Sequence, residues 1–323
     1  MHHTQRNGHA RPTKSPLPSK DMAPLPSNMF PIFIRNQFRT TIDLPTKEKY
    51  PNIPSQCAIV TGSNTGLGLE SCRQLLSLGL SHLIMAVRSI AKANAVANTL
   101  RAAHPSAKID VWELDMESYD SIQAFVRKCQ SLTRIDIVIL NAGLGPMDFT
   151  LIPATGHEKT IQVNYLSTML LSVLLLPILK SKRNPQSHTT PRLTVINSVT
   201  AHLCKFPNRS LRPLLPSFDS TSLTPWDPSE RYGVSKLLGQ LFIVKLAEYV
   251  NPDDVIINMV DPGLTKGTSL SRDTRGAMAL GAKLFFGIAG RTVDRGAATY
   301  IDAAAGQGRG SHGCFLMNCR VTP

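Results

Sequence analysis

The sequence predicts one doubly wound α/β domain, a mostly parallel seven-stranded sheet with helices on both faces, and three observations predict it. From Gln56 onward, short apolar runs alternate with longer helical stretches, the rhythm of parallel strands joined by crossover helices. The first apolar run passes into its helix through a glycine-rich bend, Thr61 to Gly68, the tight turn that a buried strand needs to enter a packed helix. The chain has 323 residues, 42% hydrophobic and 18% charged, enough for one large core and a tail.

Taken in order, the predicted strand CAIVTG (57–62) leads through the glycine bend to a helix ending near Leu78. Strand 82–87 leads to a helix capped by Ser89, strand 108–114 to a helix from about Ser118, and strand 135–140 to a helix from about Gly156 to Lys180. Strand 192–198 precedes a helix carrying Tyr232 and Lys236, and strand 255–260 precedes further helices and a short strand at 314–316. Right-handed crossovers then place ligands at the carboxyl ends of the strands. The predicted domain is 51–323. Residues 1–50 are expected to be a disordered tail with one apolar segment, since 1–28 is rich in Pro, Ser, His and basic residues. Prolines at 12, 16, 18, 24 and 26 oppose an amphipathic presequence helix, and no secretory signal appears.

Three apolar stretches bear on membranes. Met29 to Phe38 (MFPIFIRNQF) is too short to span, and either packs on the domain or makes peripheral contact with a membrane. Met169 to Leu179 reads as a buried core helix and a candidate subunit face. Gly276 to Gly290, interrupted by Lys283, reads as part of an amphipathic lid (266–290), with membrane-surface contact as the alternative. The six cysteines form no CxxC pair, which suits free thiols in the reducing cytoplasm. None of the nine histidines pairs with a cysteine at ligand spacing, so no metal site is expected. The net charge of +13 is concentrated in residues 1–50, 180–212 and 266–323. Such patches suit solubility, or contact with phosphates, an acidic carrier or an anionic surface. Nucleic acid is disfavoured, because no recognition motif accompanies the charge and only 6% of residues are aromatic.

Chemistry enters with Tyr232-Gly233-Val234-Ser235-Lys236. Four residues apart on a helix, the phenol and the ammonium share one face. A fixed positive charge there is expected to lower the tyrosine's pKa, making it an acid/base for alcohol and carbonyl interconversion. Chance alone supplies about 0.6 such Tyr/basic pairs in this composition, so a solvated helix face competes. In the bend, Gly62 permits the turn, Gly66 lets backbone N–H groups approach a pyrophosphate and Gly68 allows close helix packing. Ser63, Asn64 and Leu67 complete this predicted cradle. At the end of the second strand stands Ala86-Val87-Arg88 rather than an acid, which favours NADP(H) over NAD(H); an ordinary helix-start charge is the alternative for Arg88.

Seven segments in order, TGSNTGLG (61–68), LDM (114–116), NAG (141–143), VNYLS (163–167), INSVTAH (196–202), YGVSK (232–236) and DPG (261–263), resemble the short-chain dehydrogenase/reductase family of the single-domain, Rossmann-like type. The resemblance covers about residues 55–318, and MFPIFIRNQF and RYGVSKLLGQLF are similar to fungal members, many of them in specialised metabolism. It implies that Asp115 contacts adenine and that Asn141, Ala142 and Gly143 line the cofactor cleft. It implies further that Asn164 holds a water in a proton relay, Ser198 binds the substrate oxygen, Tyr232 is the acid/base and Lys236 binds the nicotinamide ribose. Pro262, Gly263 and Thr265 would meet the nicotinamide end. Asn164 bonded to backbone inside a helix is the alternative at that position.

Two departures from the family pattern stand out. Ser198 and Tyr232 are 34 positions apart where the family has about a dozen, so an insert (199–231) is expected to shape the substrate pocket. The position four residues after the Gly of DPG is Gly267 rather than Ser or Thr, leaving Thr265 or Thr268 as carboxamide ligands. The resulting expectation is an NADP(H)-dependent oxidoreductase, a ketoreductase acting on a small lipophilic carbonyl or secondary alcohol, forming a homodimer as family members do. A nonenzymatic NADP(H)-binding scaffold or redox sensor is the alternative.

Overall fold

Strands β1 (Cys57–Thr61), β2 (His82–Val87), β3 (Lys108–Glu113), β4 (Ile137–Leu140), β5 (Arg192–Ile196), β6 (Ile256–Asp261), β7 (Phe315–Met317) and β8 (Arg320–Thr322) form one sheet. Their order is β3-β2-β1-β4-β5-β6-β7-β8 in this computed structural model, which describes residues 17–183, 189–266, 287 and 289–323. The first seven strands are parallel and β8 is antiparallel. The order reverses direction between β1 and β4, which opens a crevice at their carboxyl ends.

The α/β class and parallel sheet are those the sequence predicts; the strand count is eight rather than seven. The extra strand follows a two-residue turn, Asn318-Cys319, with φ of 53° and 61°. Positive φ at both positions matches the right-handed strand twist, but that geometry is usually signalled by Asn-Gly. With cysteine in the second position the hairpin had no readable signature. Strand β5 stops at Ile196 rather than Ser198 because Asn197 Oδ1 accepts from Ser198 N (2.8 Å), which turns the backbone out of the ladder. Strand β4 begins at Ile137 rather than 135, with Asp136 spending its carboxylate on Cys57 N (2.8 Å) and Arg134 (2.6 Å).

Period-two alternation splits the core between the two faces of the sheet. From β1, Ile59 joins Phe125 and Val126 of α4 (Tyr119–Cys129), Leu171 and Leu175 of α6 (Thr168–Ser181) and Ile243 of α7 (Pro228–Ala247). Ala58 and Val60 join Leu75 of α2 (Gly66–Ser77), Leu100 of α3 (Ile90–Ala103) and Tyr300 of α8 (Val293–Ile301). Ser89 stands at the N-cap of α3 without a side-chain capping bond, whereas Ser118 caps α4 by accepting from Ser121 N. Helix α5 (Lys159–Ile161) begins at Lys159 rather than Gly156 because Glu158 caps it, accepting from Thr160 and Ile161 N. It continues through a π-helical turn (Gln162–Ser167) into α6. By length and composition Lys159–Ser181 is apolar enough to cross a membrane, yet 61% of its most apolar window is buried, as a core helix requires.

The expected disordered tail is corrected for residues 17–50. Ser19 is buried, donating to Phe315 O and accepting from Phe315 N (2.8 Å). The Arg295 guanidinium donates to Ile42 O (3.2 Å), and Tyr50 packs in the core with its hydroxyl donating to Asp302 (3.3 Å). Composition suggested disorder because 1–28 is rich in Pro, Ser, His and basic residues; contacts with the C-terminal third, together with burial of Ile42 and Tyr50, hold residues 17–50 instead. Residues 1–16 lie outside the described residues, as does most of the predicted lid, of which only 266, 287, 289 and 290 are described. All six cysteines are free.

Candidate active site

The glycine bend between β1 and α2 (Gly66–Ser77) is locked from the neighbouring strand. Asn141, just past β4, donates through Nδ2 to Thr61 O (2.9 Å) and Gly62 O (3.2 Å), while Ala142 N donates to Thr61 Oγ1 (2.9 Å). Gly62 has φ +63° and Gly66 φ +58°, the left-handed region that favours glycine. A Cβ on Gly68 would stand 2.5 Å from Asn141 Nδ2 and 2.6 Å from Gly62 O, so this glycine is required by contact. A Cβ on Gly66 would meet nothing within 4 Å, which marks the open side of the bend. The first turn of α2 has no side-chain cap at Thr65, so its leading N–H groups lack that partner. Open space over an uncapped helix start fits a pyrophosphate.

Not every predicted cradle residue faces that space. Ser63 is fully buried, beside the Cys72 thiol, and does not face that space. Leu67 packs toward Gly296 of α8, where an added Cβ would lie 2.8 Å from Leu67 Cδ2. Asn64, half-buried at the bend, stands between the buried Ser63 and the exposed Thr65.

At the adenosine end, Arg88 follows β2 with an exposed side chain whose Nη1 lies 2.6 Å from Glu117 Oε1. Lys159 shares the same oxygen at 2.9 Å. Glu117 carried no sequence signal, because nothing in its spacing links it to Arg88; the parallel pairing of β2 and β3 brings them together. Asp115 accepts from Glu117 N (3.0 Å) and thereby shapes the turn after β3.

At the catalytic end, the structure gathers Ser198, Tyr232, Lys236, Asn164 and Gly143. Ser198 leaves β5 and caps a short 3-10 turn, its Oγ accepting from Thr200 N (3.2 Å) and Thr200 Oγ1 (2.9 Å). The Tyr232 hydroxyl lies beside the Ser198 side chain, which favours the ionised phenol. Helix α7 carries both Tyr232 and Lys236, and Asp227 caps its start by accepting from Ser229 and Glu230 N. Lys236 Nζ donates to Ile196 O (2.9 Å) and lies 5.7 Å from the centroid of the Tyr232 ring.

The expected depression of the Tyr232 pKa by Lys236 is corrected here. Burial of the phenol, followed by the nearby Asp261 carboxylate, raises its pKa above the ordinary value, with the Ser198 hydrogen bond opposing. Burial lowers Lys236 to about 8. Desolvation opposes charge on both groups, and it outweighs the through-space effect that spacing alone suggested. Between pH 8 and the ordinary lysine value of 10.5, the unfolded chain binds a proton at Lys236 that the folded protein releases. Raising the pH therefore favours folding in that window, by about 1 kcal/mol per pH unit. The buried thiols Cys57, Cys129 and Cys204, whose pKa values burial raises, push the other way in this window, so the contribution is read as a difference: in urea unfolding of the cofactor-free protein from pH 8 to 9.5, wild type is expected to gain stability relative to Lys236→Met with this slope.

Asn164 sits in the π-helical turn, 4% exposed, with its amide committed to protein. Oδ1 accepts from Leu144 N (2.9 Å), and Nδ2 donates to Leu144 O (2.9 Å) and Ser235 Oγ (3.0 Å). The side chain thus pins the loop after β4 to α7, the backbone-bonded alternative of the sequence reading. A Cβ on Gly143 would lie 3.2 Å from Asn164 Oδ1 and 3.7 Å from Lys236 Nζ, so a larger residue there would crowd both.

At the end of β6, Asp261 ties two site segments together: Oδ1 accepts from Val199 N (3.1 Å) and Oδ2 from Gly263 N (3.0 Å). Although it opens the DPG motif, its bridging role required the fold. Gly263 has φ +72° and Pro262 O accepts from Arg291 Nη1 (3.2 Å). Thr265 is buried, and its hydroxyl donates to Gly263 O (3.1 Å), which orients it into the protein rather than toward a carboxamide. Thr268 lies outside the described residues.

The insert closes over the loop after β4. Trp226 Nε1 donates to Met147 O (2.7 Å), and its ring meets Phe149 edge-on at 5.5 Å. Arg231, adjacent to Tyr232, is the anchor: Nη1 donates to Phe218 O (2.8 Å) and pairs with the fully buried Glu158 (3.0 Å). Arg231→Met would leave Glu158 buried without its cation, a loss of about 3–5 kcal/mol. Urea unfolding at neutral pH is expected to show that drop.

The short chain dehydrogenase family profile matches residues 56–201. The short chain dehydrogenase/reductase mfmJ of Annulohypoxylon moriforme is 48% identical over 311 residues, covering 94% of this chain and 88% of that one. The short chain dehydrogenase virL of Hypocrea virens is 47% identical over 297 residues, covering 90% and 83%. Among solved structures, a short chain dehydrogenase from Shigella flexneri matches with a TM-score of 0.60 at 18% identity, covering 84% of this chain and 92% of that one. The Pseudomonas aeruginosa RhlG/NADP active-site complex matches at 0.60 and 22% identity, covering 81% and 94%. At such identities the solved structures speak for the fold alone, whereas the first two relatives share nearly half their residues along nearly the whole chain. This chain belongs to the short-chain dehydrogenase/reductase family.

Proposed function

We propose that the protein is an NADP(H)-dependent ketoreductase that interconverts a carbonyl and a secondary alcohol on a small lipophilic substrate of specialised metabolism. The observation that carries this reading is the juxtaposition of Ser198 and Tyr232, held at the sheet's carboxyl edge with Lys236 Nζ 5.7 Å from the phenol ring. Enzymes of this family work with a nicotinamide dinucleotide. When bound, that cofactor supplies or accepts the hydride.

The chain's own residues handle the proton and the oxygen. Ser198 holds the substrate oxygen by a hydrogen bond that strengthens as negative charge develops on it. Tyr232, kept protonated at neutral pH by burial, gives its proton to that oxygen in the reductive direction. Lys236 stands beside the phenol as the nearest amine, and its pKa of about 8 lets it exchange a proton near neutral pH. Trp226 and Phe149 supply an apolar wall that excludes water from one side. Preference for the 2′-phosphate rests on Arg88, where an acid would repel it; Glu117, now paired with Arg88, would have to share that guanidinium.

The test is consumption of NADPH and of NADH against a panel of aliphatic and aromatic ketones, with Ser198→Ala as control. Turnover that prefers NADPH and falls in the variant is expected. Tight NADPH binding without turnover of any ketone or alcohol would instead identify a nonenzymatic scaffold, and a preference for NADH would overturn the role given to Arg88.

A further inference from the structure

Gln37 belongs to the segment before the core, yet its side chain ends in the turn after β6. Nε2 donates to Leu264 O (2.8 Å) and Ala289 O (2.7 Å), and Oε1 accepts from Leu264 N (3.1 Å). One primary carboxamide therefore engages both the donor and the acceptor of a single backbone residue. The neighbouring residue holds the segment too, since Asn36 O accepts from the Arg291 guanidinium, which also donates to Pro262 O.

This turn adjoins the catalytic end, because the Asp261 carboxylate bridges Gly263 N and Val199 N, one residue past Ser198. A nicotinamide ring set against Ser198 and Tyr232 carries a single hydrogen-bonding substituent, and it is also a primary carboxamide. The amide of Gln37 offers the same donor and acceptor in the same planar arrangement. It also fills the space over Gly263, where an added Cβ would lie 2.8 Å from Gln37 Oε1.

The rest of the segment is only partly buried. Among Phe30–Ile34 and Arg35–Arg39 no residue is buried, and Phe30 and Phe38 are 67% and 52% exposed. Phe30 and Phe38 face outward while Gln37 reaches in; Ile32, Phe33 and Ile34 are half-buried. Polar contacts of this kind exchange for equivalent ones at little cost.

We propose that Gln37 is a built-in stand-in for the nicotinamide carboxamide, so that the segment Phe30–Arg39 latches onto Leu264 when the cofactor is away and is expelled when it binds. This rests on the cofactor reading above. A cofactor that must displace the latch binds with an affinity reduced by the fraction of molecules held shut.

The experiment uses the full chain, with Gln37→Ala and, as a second variant of matched size, Gln37→Glu, which loses the donor and sets a carboxylate against two carbonyl oxygens. Affinities for NADPH and for 2′,5′-ADP, which lacks the nicotinamide, are measured by fluorescence titration and calorimetry. Both variants are expected to bind NADPH about fivefold more tightly, with 2′,5′-ADP affinity unchanged. Saturating NADPH, but not 2′,5′-ADP, is expected to speed tryptic cleavage after the exposed Arg35 and Arg39 of the wild-type chain. Unchanged or weaker NADPH binding in both variants, or protection of Arg35 and Arg39 by NADPH, would overturn the latch while leaving the cofactor reading standing. Failure of the wild-type chain to bind either nucleotide would overturn both.

Discussion

Tyr232→Phe is expected to lower ketone reduction by about a thousandfold while leaving NADPH affinity within about twofold of wild type. The size follows from the loss of the general acid, which contributes on the order of 10²–10⁴ in rate. Selectivity follows from how little else changes. The ring stays packed above Lys236, whose Nζ remains bonded to Ile196 O. Ser198 keeps its contacts with Thr200, so the 3-10 turn and its hold on the substrate oxygen persist. Single-turnover NADPH oxidation and a fluorescence titration on the same preparation separate the two effects. Undiminished turnover would sink the assignment of Tyr232 as the acid.

Gly68→Ala should abolish measurable NADPH binding and destabilise the fold by about 1–3 kcal/mol. The added carbon would collide with Asn141 Nδ2 and Gly62 O, and neither is the free end of a flexible chain. Asn141 would have to give up its bonds to Thr61 O and Gly62 O, unlocking the bend from β4. Gly66→Ala supplies the contrast. Its Cβ enters open space, so the stability cost is the strain of φ +58°, about 1 kcal/mol, while loss of binding is expected from that space being the proposed cradle. Thermal unfolding paired with NADPH titration distinguishes them: binding falls in both, and stability falls more in Gly68→Ala. Equal stability loss would mean that contact with Asn141 does not govern the bend.

Much of the fold was legible because its signals are local. A buried parallel strand needs an apolar run, and Cys57–Thr61 and Ile137–Leu140 are continuous ones. The bend needs glycine at positive φ, and Gly62 and Gly66 stand there. Strand ends were less legible, since β5 ends where the Asn197 side chain competes for the backbone and β8 follows a turn whose second residue is cysteine. The folded state of residues 17–50 was hidden for a different reason. Its contacts, such as Ser19 with Phe315 and Gln37 with Leu264, join residues more than two hundred positions apart.

By itself the sequence determined the α/β class, the glycine bend and the helical spacing of Tyr232 and Lys236, because each depends on neighbours along the chain. Only the tertiary structure decided the electrostatics of that pair. Spacing predicted an ammonium lowering a phenol's pKa, but burial depends on what the whole fold packs around both groups, and here it raises Tyr232 and lowers Lys236. Tertiary structure also decided what surrounds them: Glu117 facing Arg88, Asp261 joining two turns, Arg231 fastening the insert and Gln37 seated on Leu264. Such contacts depend on which strand edges and loops the crossovers bring together in space, and residue spacing carries no record of that.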